Sequence, residues 1–271
     1  MKQIIILVIV AMYSSINAQV EEIVVTFSKP SESKTIEIQL FSGDISIVGT
    51  DRSDVLIKYE VEKREDDHEH GRNKSNDKNQ GLKKIGGGNF EFEIGEYNNE
   101  VSIKSQNWMN LIRLEIEVPK KITVDISKQM GENVVVENII GDVNVENNIG
   151  SVTILGVQGA VNASSSTGEI IVEFAAIDPN QTMTFNTITG NIDLTVPTTH
   201  KANLKMRTEW GDIYTDMDIE TQQKKEPQTK TVHKNGGMKL VSNNWTYGSM
   251  NGGGPEMTIK TQMGSIYLRA K

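Results

Sequence analysis

Residues 134–172 read VVVENIIGDVNVENNIGSVTILGVQGAVNASSSTGEIIV, and this stretch decides the fold. Apolar pairs fall at Val134/Val136, Val143/Val145, Val152/Ile154, Val161/Ala163 and Ile170/Val172, each pair starting nine residues after the last. Residues two apart on a strand point to the same face, so each pair is the buried side of one short strand. Gly141, Gly150, Gly159 and Gly168 repeat at the same interval, two residues ahead of the next pair. Short strands at a fixed period, punctuated by glycine, are the signature of a solenoid.

The same grammar extends outward in both directions. Ile36/Ile38 and Ile45/Ile47 bracket Gly43, Met183/Phe185 and Ile192/Leu194 bracket Gly190, and Leu204/Met206 and Ile213/Thr215 bracket Gly211. Met257/Ile259 and Ile266/Leu268 bracket Gly264 near the end of the chain. Ile23/Val25, Val55/Ile57, Phe92/Ile94, Val101/Ile103, Leu114/Ile116 and Val124/Ile126 mark further strands, and Met238/Leu240 marks one more. No segment sustains apolar residues at helical spacing, so the mature chain is expected to hold almost no helix. The aligned units place a Ser or Thr three residues before the glycine, at Ser165, Thr187, Thr208 and Thr261. That hydroxyl is suited to bond corner backbone groups that lose their ladder partner, and the glycine permits the close approach a corner needs. Gly141 to Gly159 spans 18 residues, Gly168 to Gly190 spans 22 and Gly190 to Gly211 spans 21. These spacings predict an all-β, parallel β-solenoid with turns of about 18–22 residues. Two main strands per turn fit; three strands per turn and an antiparallel β-sandwich are the alternatives.

Residues 1–18 read as a signal peptide, with Lys2, an apolar run from Ile4 to Met12, and cleavage expected after Ala18. The apolar run is too short to span a bilayer comfortably. Residues 19–271 then form one solenoid domain without a transmembrane segment, exported to the periplasm, the cell surface or the medium. Three polar stretches interrupt it: residues 62–89 and 220–237, read as mobile loops, and residues 243–254, a loop rich in Gly and Asn. The chain has no cysteine, which excludes disulfides and thiol chemistry. Its net charge of −8 disfavours nucleic acid and anionic membranes as partners.

The segments G-D-I-S-I at Gly43, T-x-x-G-N-I-D-L at Thr187, T-x-x-G-D-I-Y at Thr208 and T-x-x-G-S-I-Y-L at Thr261 resemble the "putative adhesin" family of bacterial domains of unknown function. The resemblance covers the chain from about Ile36 to Leu268. It implies an exported β-strand repeat domain of the envelope, and it brings no catalytic residues with it.

Candidate chemistry is sparse. Asp44, Asp142, Glu169 and Asp212 each follow a template glycine and would line one edge of a solenoid, as a cation ladder or a paired carboxylate site. Ser151, Asn191 and Ser265 hold the same place, which favours a turn role. Asp66-Asp67-His68-Glu69-His70 lacks the fixed geometry a metal needs. No Ser-His-Asp arrangement, nucleophile elbow or phosphate loop is found, and no cofactor is expected. Aromatic residues give the binding clue. Tyr214 and Tyr267 occupy an outward template position, Trp210 sits at the corner before Gly211, and Trp245 and Tyr247 fall in the last loop. Flat rings on a rigid face suit stacking on sugars or packing on a partner protein. The expectation is a noncatalytic adhesin, surface-interaction or scaffold protein whose partner is an envelope or extracellular protein or a glycan. A β-helix lyase or hydrolase and an envelope sensor are the alternatives. Open end strands also make self-association an expectation.

Overall fold

The computed structural model describes residues 21–63, 92–108, 110–222, 229–232, 238–241 and 245–271. The described residues contain strands and turns and no helix. In chain order the first strands are β1 (Glu21–Val25), β2 (Thr35–Thr50), β3 (Val55–Lys63), β4 (Glu93–Tyr97), β5 (Glu100–Ser105), β6 (Asn110–Pro119), β7 (Thr123–Met130) and β8 (Asn133–Glu137). The regular middle consists of β9 (Val143–Ile149), β10 (Ser151–Gln158), β11 (Val161–Thr167), β12 (Ile170–Ala176), β13 (Met183–Thr189) and β14 (Ile192–Val196). The chain closes with β15 (Ala202–Arg207), β16 (Ile213–Thr215), β17 (Glu220–Gln222), β18 (Thr229–Val232), β19 (Met238–Val241), β20 (Thr246–Met250), β21 (Glu256–Lys260) and β22 (Ile266–Ala270).

Two strands make one turn of the solenoid, and each contributes to a different sheet. The A sheet runs β1, β3, β6, β2, β8, β10, β12, β14, β22, β16. The B sheet runs β4, β5, β2, β7, β9, β11, β13, β21, β15, β20, β17. Strand β2 belongs to both, its first half in B and its second in A, bent at Ser42 and Gly43. The register puts like with like: Ile45, Val134, Val152, Ile170, Ile192 and Ile266 form one continuous inward row. All six are buried. Each such side chain contributes about 1.5–3 kcal/mol. No single strand buries its pair alone, so the core exists only because the rungs stack.

The stacking order is not the sequence order. The rung of β2 lies between β5/β6 and β7/β8, and the rung of β21/β22 lies between β13/β14 and β15/β16. The 21-residue step from Gly190 to Gly211 is therefore not one turn, because Gly264 stands between them. The ends also depart from the parallel pattern. β3 and β1 add antiparallel to the A sheet, β4 adds antiparallel to the B sheet at the same end, and β20 and β17 do so at the other end of B. Antiparallel neighbours use the same two-residue alternation as parallel ones, so the sequence pattern does not separate them.

The polar stretches are corrected in part. Glu62 and Lys63 end β3, and the rest of the segment through residue 91 lies outside the described residues. Residues 220–237 hold two strands rather than one loop: β17, paired with β20, and β18, which forms a separate hairpin with β19. Residues 243–254 are not a loop throughout, since β20 occupies their centre. Residues 1–18, read from the sequence as a signal peptide, and residues 66–70 also lie outside the described residues.

A buried polar seam runs beneath the corner where the B strand of each rung meets its A strand. Ser165 Oγ donates to the Gly150 carbonyl at 3.1 Å, Thr187 Oγ1 to Gly168 at 3.1 Å, Thr261 Oγ1 to Gly190 at 2.9 Å and Thr208 Oγ1 to Gly264 at 2.7 Å. Each hydroxyl bonds the glycine carbonyl of the preceding rung in space. The seam thus ties adjacent rungs together and repeats the non-sequential order. Lys128 takes the hydroxyl's role two rungs before Ser165, its ammonium donating to the Gly43 carbonyl at 3.1 Å, and Asn147 stands in the rung between, its Nδ2 donating to the Gly150 carbonyl at 2.6 Å.

Candidate interaction surface

Six of the template glycines, Gly43, Gly150, Gly168, Gly190, Gly211 and Gly264, stand at this first corner. Gly141 and Gly159 stand at the second corner, where one rung passes to the next. This division separates the four acidic residues. Asp44, Glu169 and Asp212 follow first-corner glycines, whereas Asp142 follows a second-corner glycine. Along the first corner, Asn133 and Ser151 stand between Asp44 and Glu169, and Asn191 and Ser265 between Glu169 and Asp212. Asp44, Glu169 and Asp212 are three rungs apart in succession, roughly 14 Å at the usual strand spacing, and Glu132, beside Asp44, gives its amide to that carboxylate. They do not form the pair that glycoside hydrolysis uses.

The side chains at this position brace backbone instead. Asp44 Oδ1 accepts from the Glu132 and Asn133 amides at 2.9 and 3.3 Å, and Asp142 Oδ1 accepts from Ala160 at 3.0 Å. Ser151 Oγ accepts from the Glu169 amide, Asn191 Oδ1 from Ser265 and Ser265 Oγ from Asp212. An acceptor is what the place requires, which explains why Asp, Ser and Asn interchange there. Among the described residues, no group of three or more His, Asp or Glu side chains is placed to hold a metal ion.

A cleft of about 540 Å³ opens where loops at the second corner meet, lined by Ile177, Pro179, Pro197, Pro255 and His200 among others. His200 is buried, and burial pushes its imidazole below its ordinary pKa. No carboxylate lines the cleft to act with it.

The aromatic residues divide between the two sheets. Tyr214 of β16 and Tyr267 of β22 are register partners on the outer face of A, their rings stacked at 5.2 Å and 13°. The Arg269 guanidinium lies 5.3 Å from the Tyr267 ring and binds Asp193 through bonds of 2.8, 2.9 and 3.1 Å. The Tyr214 hydroxyl donates to Asp212 Oδ2 at 3.1 Å, and that bond with its negative charge holds the phenol above its ordinary pKa. Trp210 projects from the corner at 75% exposure, bridged to Met263, itself 55% exposed. Trp245 and Tyr247 sit elsewhere. β20 places them on the B sheet, where Lys205 and Arg207 lie 4.8 and 5.8 Å from the Trp245 ring. Trp210, Tyr214 and Tyr267 lie together at one end, whereas Trp245 and Tyr247, expected in a nearby loop, belong to a different face.

Arg269 and Asp216 complete that end beside Asp212 and were not singled out in the sequence. Asp216 Oδ1 accepts from the Ala270 amide at 2.8 Å. The signal for Asp216 was the alternation D-x-Y-x-D at residues 212–216, which sets a carboxylate two residues to either side of the tyrosine.

The fold and its surface define an open two-sheet β-solenoid whose regular rungs end in an exposed aromatic and acidic edge. The chain belongs to the Toastrack DUF4097 family, whose model matches residues 3–243. Two solved structures are similar to it. One is a "putative cell adhesion protein" from Clostridium sporogenes, at 13% identity and a TM-score of 0.45, covering 93% of this chain and 100% of its own. The other is a "putative adhesin" from Bacteroides fragilis, at 12% identity and a TM-score of 0.36, covering 94% of this chain and 98% of its own. Comparison with curated proteins found no match. No helix among the described residues is long and apolar enough to cross a membrane.

Proposed function

We propose that this chain is an exported, noncatalytic solenoid that presents a rigid recognition surface at the cell envelope. The stacked Tyr214–Tyr267 pair at the end of the A sheet carries the reading. Tyr214 is half exposed and Trp210 three-quarters exposed, so neither ring is spent on the core. Rings fixed on strands bind at little entropic cost, because their geometry is already set. The apolar run at residues 4–12 supports export. The acidic corners support a structural rather than catalytic role, because each described carboxylate that braces a corner is far from the next.

The test is binding of residues 19–271 to a broad glycan array and to intact bacterial cells. A second protein carries Trp210→Ala, Tyr214→Ala and Tyr267→Ala, changes on a surface that leaves the core rows intact. Selective binding by the unaltered chain, reduced at least about tenfold in the variant, is expected from the loss of one stacked pair and one exposed indole. Absence of binding to both arrays and cells by the unaltered chain would overturn the surface-recognition reading.

A further inference from the structure

We propose that the free edge of β16 takes up, as an added strand, an extended basic segment of a partner protein. The inference rests on the recognition reading above and assigns its partner. The Ile266 amide donates to the Asp212 carbonyl at 2.9 Å, so the backbone polar groups of Asp212 face β22. Backbone direction alternates along a strand, so Ile213 and Thr215 turn their N–H and C=O groups the other way. No described strand lies on that side of β16. Such a row of free groups is a template for pairing with another chain.

Side chains beside this edge state what the added strand must carry. Asp212 and Tyr214 alternate at the outer face and are exposed, and the exposed Asp216 follows in the bend just after β16, its Oδ1 accepting from the Ala270 amide. A strand laid against β16 brings its own alternate side chains opposite them, at a strand spacing of about 4.8 Å. Lysine or arginine at every second position would meet the Asp212 carboxylate and the Tyr214 ring in turn, and reach Asp216 just past the strand's end, by ion pairing and a cation over the tyrosine face. Arg269 lies beside the carboxylates, but its guanidinium is committed to Asp193 by three hydrogen bonds. Asp218 and Glu220 continue the acidic run. A second copy of this chain is the poorer occupant. Its other A edge, β1, presents exposed Glu21 and Glu22, and two copies of β16 paired antiparallel about Tyr214 would set Asp212 against Asp216. Like charges directly opposite are destabilising. The net charge of −8 points the same way.

The probe is a fluorescent heptapeptide, Lys-Thr-Lys-Thr-Lys-Thr-Lys, titrated by anisotropy at low salt. Two controls are Glu-Thr-Glu-Thr-Glu-Thr-Glu and the block peptide Lys-Lys-Lys-Lys-Thr-Thr-Thr, which keeps the charge but not the alternation. The alternating basic peptide is expected to bind at least about tenfold tighter than the block peptide, with the acidic peptide not binding. Thr215→Pro removes an outward N–H while leaving the β22 side of the strand untouched, and should weaken binding about tenfold or more. Tyr214→Lys alters an exposed side chain and tests the same edge by charge, should Thr215→Pro lose the native spectrum. Equal binding of alternating and block peptides, or full binding by both variants, would overturn strand docking. Glycan or cell binding that persists alongside that result would leave the recognition reading standing and refute only the partner assigned here.

Discussion

Gly190→Ala is expected to destabilise the protein by about 3–5 kcal/mol, among the largest effects available to a single methyl group. Gly190 has φ +144, and a Cβ there would lie 2.1 Å from the Gly168 carbonyl oxygen and 2.6 Å from its carbon. The obstacle is the backbone of the adjacent rung, which cannot rotate away as a side chain would. That same carbonyl accepts the Thr187 hydroxyl, so pushing it aside also loosens the seam. Because each rung is buried only by its neighbours, separation at one corner exposes core on both sides of the break. Gly95→Ala is the internal control. A Cβ on Gly95 meets nothing within 4 Å, and its strand backbone suits alanine. It should leave stability unchanged or raise it by a few tenths of a kcal/mol. Denaturant unfolding of the three proteins checks the contrast. Equal midpoints for Gly190→Ala and Gly95→Ala would refute the close-approach account of the corner.

Lys128→Met is expected to stabilise the protein at pH 7 by about 1–2 kcal/mol, with the gain shrinking as pH rises. Lys128 is completely buried, and burial pulls its pKa down to about 8, with the charges of Asp44 and Glu132 opposing the shift. At pH 7 the ammonium is charged in both folded and unfolded chains, so the native state carries its desolvation cost. Between about pH 8 and the unfolded lysine value near 10.4, the unfolded chain binds more protons than the native one. Stability therefore rises with pH over that window, and the unaltered chain closes on the methionine variant. Urea unfolding of both proteins at pH 7 and pH 10 reads the difference. A methionine variant less stable at pH 7, by the same margin at pH 10, would contradict a charge-burial cost at this site. The lysine sits in a seam whose other described donors, Ser165, Thr187, Thr208, Thr261 and Asn147, are uncharged.

The local grammar of the solenoid was legible because burial imposes it residue by residue. Ile45, Val134, Val152 and Ile170 had to be apolar and spaced by two from a partner wherever their rungs sat. The Ser and Thr of the seam were legible for a similar reason, since a corner carbonyl needs a donor at one place. The stacking order was not. Every rung offers the same edge of backbone groups, so β21 fits beside β13 as well as β15 does by local pattern alone. The antiparallel ends were hidden because Val55, Ile57 and Tyr59 alternate as a parallel strand would. β20 was read as loop because Gly248 and the asparagines before it carry turn signals. In the fold, Gly248 admits the Ile219 side chain, to which a Cβ would come within 2.6 Å. For the surface, D-x-Y-x-D was present in the sequence, but its importance depends on β16 being terminal. That is a property of the order of rungs and not of the segment.

The order of rungs is therefore the point to test directly. The chain has no cysteine, so pairs can be introduced one at a time. Thr184 and Thr258 are outward register partners on neighbouring strands β13 and β21, whereas Lys205 on β15 lies one strand further on. Adjacent strands place the two Cα atoms near 4.8 Å, within disulfide reach, and two strands place them beyond it. Oxidation of Thr184→Cys/Thr258→Cys is expected to give an intramolecular disulfide, and Thr184→Cys/Lys205→Cys to remain reduced. The reverse result would mean that the rungs stack in sequence order, that β22 rather than β16 ends the A sheet, and that the edge described here is covered.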